Sequence, residues 1–369
     1  MIKKRKVFYL SGFDPRGVRY YKGVFNRELQ KFAELTQKDI TSENINSHHT
    51  HVNSWKVIGQ ALPEVEYSFL KWDDIIRQNW IRNPFILAIK TLITYFFYII
   101  NIEWRKVAKT SAKGPVRTLF YPLATLLFYW FTFYLVFSFA LSFLDLKSPI
   151  AVLAAALIPS ALIMDKIKSL WLLRFFIFNV RAFHLKQNLL DERLQYFADI
   201  ICADLKSAKY DEVQLISHSN GTILSIPLLY KIFNSGVEHS KLSVLSLGHC
   251  LPLATYYRSA HKIKSELKYL SHQNFTWNDI GSKPDGVCFT KQNPFLPHSI
   301  KNTTAKALLY SAAFYKYYEP ENYKKIKRNK FDMHFRYLYC TDKPSPFNFF
   351  SIITSTNKLE KTLSHKQLP

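Results

Sequence analysis

Cysteine is scarce in this chain of 369 residues: the four present, Cys202, Cys250, Cys288 and Cys340, stand far apart and show no metal-ligand spacing. That excludes a disulfide scaffold and a zinc motif, and it reads as reduced, buried thiols in a cytoplasm-facing domain. Acidic residues are also few, 27 against 50 Lys and Arg, for a formal charge of +23. With an aromatic fraction of 16%, this balance suits an anionic surface, either nucleic acid or a lipid leaflet. No recognition helix, zinc site or RNA-binding motif accompanies the charge, so a nucleic-acid partner is not expected. No internal repeat is visible. The opening "MIKKRKVFYLSGF" is basic, but only a short strand-like run follows it, so it is not read as a signal peptide.

What the chain does have is long apolar runs, at about 84 to 102, 118 to 144 and 149 to 164. The middle one, "TLFYPLATLLFYWFTFYLVFSFALSFL", is uncharged over more than the roughly 20 residues that span a bilayer. The third follows it closely, behind Ser148 and Pro149, a good helix start. Together they predict a transmembrane helical hairpin. Arg105, Lys106, Lys109, Lys113 and Arg117 precede it, and Lys166, Lys168, Arg174, Arg181 and Lys186 follow, while the turn Asp145 to Lys147 is nearly neutral. The positive-inside rule then places both basic segments in the cytoplasm. The run at 84 to 102 carries Lys90, and 168 to 186 mixes aromatics with spaced Arg and Lys; both are expected to lie in the interface or re-enter. Four crossings are the other topology the pattern allows.

The flanks of this insert read as one α/β fold. "KVFYLSGF" is a buried strand, "GVFNRELQKFAELT" a helix, and "SWKVIGQ" and "EVEYSFLKW" two further strands. After the insert, "LLDERLQYFADIICADLKSA" is a helix, followed by strand "DEVQLISHS", a helix from Gly221, strand "KLSVLSLGH", helix "TYYRSAHKIKSELKYL" and strand "NFTWNDIGS". Such alternation predicts a mostly parallel sheet flanked by helices. The expected divisions are 1–80 for its first part, 81–186 for the membrane insert, 187–354 for its second part and 355–369 for a disordered tail.

Within "LISHSNGTIL", Ser219 stands between a strand and a helix, with Ser217 two before it and Gly221 two after. A sharp strand-to-helix turn of this kind lifts a serine to the top of a sheet, provided those flanking positions are small. Through "SHSNG", the chain resembles the α/β-hydrolase superfamily over about 1 to 75 and 187 to 350, with Ser217 in place of the more usual glycine. The resemblance implies a Ser219 nucleophile and a chain order of serine, acid, histidine. It leads to Asp285 in the Pro-Asp-Gly turn, with Asp279 in the strand pattern as the alternative acid. His334 in "KFDMHFRYLY" is the favoured base and His298 the alternative, while His218 is read as structural. It also implies an oxyanion hole of two backbone amides, those of Asn220 and Phe13, with Gly12 allowing close approach. Asp14 and Arg16 either orient a substrate head group or pair with each other, and Arg16, Arg19 and Lys22 are weak candidates for an anionic head group.

The expected function is that of a membrane-anchored esterase or lipase-like enzyme, acting on a lipid or other acyl ester beside anionic lipids and needing no metal or cofactor. The expected compartment is a bacterial inner membrane, with the catalytic part in the cytoplasm. Acyl transfer from the same intermediate and a catalytically silent binding or scaffold protein are the rival readings.

Overall fold

The structure, a computed structural model, describes all residues except 46–48, 109–112, 144–147, 185–186, 296–302 and 365–369. The chain opens with β1 (Lys4–Leu10), α1 (Gly17–Thr36), β2 (Ile40–Ile45), β3 (Val52–Gly59), β4 (Glu64–Leu70) and α2 (Asp73–Gln78). Five helices follow: α3 (Pro84–Asn101), α4 (Trp104–Ala108), α5 (Lys113–Ser142), α6 (Pro149–Lys166) and α7 (Ser169–His184). It continues through α8 (Asn188–Lys206), β5 (Glu212–His218), α9 (Gly221–Asn234), β6 (Leu242–Leu247), α10 (Pro252–Thr255), α11 (His261–Ser271), β7 (Thr276–Gly281) and β8 (Lys306–Ser311). It ends in α12 (Pro320–Arg328), α13 (Lys330–Phe335), α14 (Phe349–Ile353) and α15 (Leu359–Ser364).

Two compact units result, one of Met1–Arg77, Gln187–Tyr256 and Ala260–Pro369, the other of Gln78–Lys186 and Tyr257–Ser259. The first holds an eight-stranded sheet in the order β2-β3-β4-β1-β5-β6-β7-β8. Six strands from β4 to β8 run parallel, and β2, β3 and β4 pair antiparallel. β5 is buried along its whole length and β1 beyond its first residue; in β1 this shows as the apolar run Val7–Leu10, whereas β5 buries Glu212, Gln214 and Ser217 among Val213, Leu215 and Ile216. One face of the sheet carries α1 and the C-terminal helices, around Tyr9, Phe25, Trp55, Tyr67 and Phe350. Helices α8, α9 and α11 pack together, with α8 and α9 also meeting β5.

Two strands of this sheet, β2 and β8, have no counterpart in the sequence reading. The helix read over 255–270 is two helices, α10 and α11, separated by Tyr256–Ala260. The segment 355–364, expected to be disordered, is ordered and held by a buried ion pair. Arg5 Nε donates to Glu212 Oε2 at 2.7 Å, both fully buried. The same guanidinium donates to the carbonyls of Ile353, Ser355 and Asn357 at 2.6–2.7 Å, and the Leu359 amide donates to Glu212 at 2.7 Å. A buried charge demands such partners, and the C-terminal backbone supplies them. Leu359 and Leu363 close the turn into the core.

In the second unit three helices, α3, α5 and α6, are long and apolar enough to cross a membrane. Helix α5 is 6% buried over its most apolar window, so its side chains face outward nearly all round. Its Trp130 indole donates to the Leu153 carbonyl at 2.8 Å, joining α5 to α6, and Tyr95 on α3 donates to the Leu119 carbonyl at 2.6 Å. The expected interfacial placement of 168–186 is not what the described part shows: α7 buries ten of its sixteen residues. Apolar residues lie all round it, the signature of a packed helix rather than a surface one. Its Arg174 is satisfied within the unit by the Ile81 carbonyl at 2.9 Å and lies over the Trp80 ring.

Candidate active site

Ser219 occupies the turn between β5 and α9 at a φ of 55°, in the left-handed region. For a residue with a side chain that conformation carries a strain of about 1–2 kcal/mol. The turn is held from both sides. The Ser219 amide donates to the Leu247 carbonyl at 3.1 Å, and the Thr222 hydroxyl donates back to the Ser219 carbonyl at 2.6 Å. Gly221 is required on steric grounds, since a Cβ there would stand 2.4 Å from the Leu10 carbonyl oxygen and 2.7 Å from that of Ser11. Ser217, the other small residue of the motif, is buried.

The loop after β1 runs directly against the serine. A Cβ on Gly12 would lie 2.8 Å from Ser219 Cβ and 3.1 Å from its Oγ, so glycine permits an approach that any other residue blocks. Phe13 follows, fully buried. Asn220 begins α9; its backbone amide makes no hydrogen bond among the described residues. Its buried side chain likewise lacks a partner there. Asp14 and Arg16 do pair with each other, Nε to Oδ1 at 2.8 Å, and the guanidinium stacks on Tyr20.

At the same carboxyl edge of the sheet, Asp285 and His334 form a buried pair, with His334 Nδ1 donating to Asp285 Oδ2 at 2.8 Å. The Tyr337 hydroxyl donates to that oxygen at 3.0 Å, and the amides of Val287 and Cys288 donate to Oδ1 at 3.0 and 3.4 Å. Burial acts to raise the Asp285 pKa, but the His334 charge and these donors outweigh it and hold the carboxyl below its usual range. The carboxylate thus fixes the proton on Nδ1. Nε2 of His334 is left buried, without a partner among the described residues.

His218 lies under this histidine. The rings are 4.9 Å apart and His218 Nε2 donates to the His334 carbonyl at 2.9 Å. Burial, reinforced by the neighbouring His334, lowers its pKa to about 3, so it stays neutral and structural. Asp279 is placed elsewhere: on β7 it accepts from Ser246 Oγ at 2.5 Å and lies 3.7 Å from His249 Nε2. It has no contact with His334 among the described residues. His298 falls outside the described residues.

Two contributors have no signal in the sequence. Tyr337 completes the donor shell of Asp285. Cys250 donates its amide to Thr222 Oγ1 at 3.1 Å, and its thiol lies 3.8 Å from the Gly248 carbonyl. Burial, with the Asp285 charge adding to it, pushes that thiol well up, so it stays protonated. Comparison with known protein families, with curated proteins and with solved structures finds no match to the chain.

Proposed function

We propose that the chain is a membrane-anchored serine hydrolase of the α/β-hydrolase superfamily that cleaves an acyl ester. The observation that carries this reading is the buried Asp285–His334 pair with its free Nε2, at the sheet edge where Ser219 sits in a left-handed strand-to-helix turn. Serine is a poor nucleophile until a base takes its proton. His334 Nε2 accepts that proton as Ser219 Oγ bonds to the acyl carbon, and Asp285 stabilises the imidazolium. In this reading the amides of Asn220 and Phe13 are the donors assigned to the developing oxyanion. The tetrahedral intermediate expels the alcohol, which takes the proton from His334. Water, deprotonated by the same nitrogen, then releases the acid; an alcohol in its place gives acyl transfer. The insert ties this chemistry to a bilayer, where acyl esters of lipids are concentrated, with the catalytic unit on the cytoplasmic side.

A catalytically silent binding protein is the second reading, favoured by a serine only 3% exposed and without a hydrogen bond to His334. Such bonds commonly tighten only when substrate binds. A fluorophosphonate probe separates the two. Detergent-solubilised wild type is expected to label covalently and Ser219→Ala to remain unlabelled; an unlabelled wild type overturns the hydrolase reading in favour of the silent one.

A further inference from the structure

Helix α12 and the start of α13 present an unpaired positive surface. Lys324, Lys325, Lys327 and Arg328 are all exposed, and none forms an ion pair among the described residues. Ile326 is the one buried residue of α12, Tyr323 packs partly against the same core, and the four cations turn outward. Aromatic surface lies next to it: Tyr315 is 61% exposed and its ring meets that of Tyr323 at 6.4 Å. The surface is also continuous with the catalytic edge. Lys330 Nζ donates to the carbonyl of Pro284, the residue before Asp285, and Lys330 opens the helix that carries His334.

Uncompensated cations beside an exposed tyrosine match the chemistry of an anionic lipid surface, where Lys and Arg meet head groups and Tyr sits at the interface. We infer that this face docks on the head groups of an anionic leaflet and holds the loop of Asp285 and the helix of His334 close to it. The inference rests on the proposed membrane reading, since the apolar helices of the same chain bring a bilayer within reach. It fits a bilayer better than a nucleic acid: the charges lie on one short helix and are accompanied by no base-reading side chains.

The test uses the full chain in lipid discs containing phosphatidylglycerol with a photoreactive head group, with adducts mapped by mass spectrometry. Adducts are expected within residues 315–330, and raising the salt is expected to remove them. Reversal of all four charges, Lys324→Glu, Lys325→Glu, Lys327→Glu and Arg328→Glu, is expected to reduce their yield by at least roughly fivefold, the effect of even one lost cation at a charged surface. The salt titration requires no variant, so misfolding of the reversal mutant leaves the test intact. Adducts confined to residues 78–186, or adducts in 315–330 that persist in high salt, overturn the inference. So does tight RNA binding to discs of neutral lipid without any lipid adduct in 315–330. Fluorophosphonate labelling in the same discs reports on Ser219 separately, so failure of the catalytic reading is distinguishable from failure of this one.

Discussion

At the scale of the residue, the site separates two buried aspartates by what surrounds them. Asp285 accepts from a histidine, a tyrosine and two amides, and is held ionised. Asp279 is raised by burial, only partly offset by His249 and Ser246. Asp285→Asn is therefore expected to slow ester turnover by roughly a thousand- to ten-thousand-fold, because an amide no longer fixes the proton on Nδ1. Asp279→Asn is expected to leave turnover within about tenfold, and equal losses in the two variants would refute the assignment. His218 gives a second test through pH. The native state holds its pKa at about 3 against an ordinary value of 6.5. Because the unfolded state takes up a proton that the native state refuses, this contribution leaves stability intact above about pH 6.5 and lowers it as pH falls towards 3. The slope is at most about 1.4 kcal/mol per pH unit. Thermal melts of His218→Gln are expected to show a flatter decline over this window; an unchanged slope would remove His218 as its source.

At the scale of the element, the tail anchored by Arg5 is part of the fold. Ending the chain at Thr354 removes two carbonyl acceptors of that guanidinium, the amide that serves Glu212, and two buried leucines. Lost leucine burial alone is worth about 1.5–3 kcal/mol each, so the truncated chain is expected to melt far below the full one; an unchanged melting temperature would count against this packing. Nothing local announces α15. Its two buried residues stand four apart in a polar segment, and its anchor lies some 350 positions away in sequence. Strand β1 was legible for the opposite reason, since its buried residues Val7–Leu10 form a continuous apolar run. β2, "ITSENI", is an edge strand with mostly polar, partly exposed positions and carries no such mark. Helix α7 misled because aromatics mixed with Arg look alike on a membrane surface and in a packed unit. What decides between them is the Ile81 carbonyl that receives Arg174, 93 residues earlier. The same limit applies to the candidate site. Ser219, Asp285 and His334 could be ordered along the chain, whereas Tyr337 and Cys250 are known only through their contacts.

At the scale of the whole molecule, β1 pairs in parallel with β5, one strand from each side of the apolar insert. Both flanks therefore lie on one side of any membrane, and the number of crossings is even. Among the described residues three helices qualify by length, so on the proposed membrane reading at least one of them does not cross. Lys90 marks α3, exposed in the middle of that helix where hydrocarbon would surround it, at a cost of about 2.5–3.5 kcal/mol. On the proposed membrane reading, helices α5 and α6 are therefore the spanning pair we propose. With all four native cysteines buried, a membrane-impermeant maleimide is expected to modify Ser148→Cys only from outside the cell and Lys106→Cys only after the cells are opened. Modification of both from the same side would refute this topology. The Arg5–Glu212 pair joins residues 207 positions apart, so the sheet is finished only after the insert has been synthesised. Until then β1 and β4 leave the ribosome with an open apolar edge, a hazard for aggregation that long-range β pairing prolongs. The loop of Gly12 and Phe13 comes from the first half and Ser219 from the second, so the candidate site is assembled only once the apolar insert has been made.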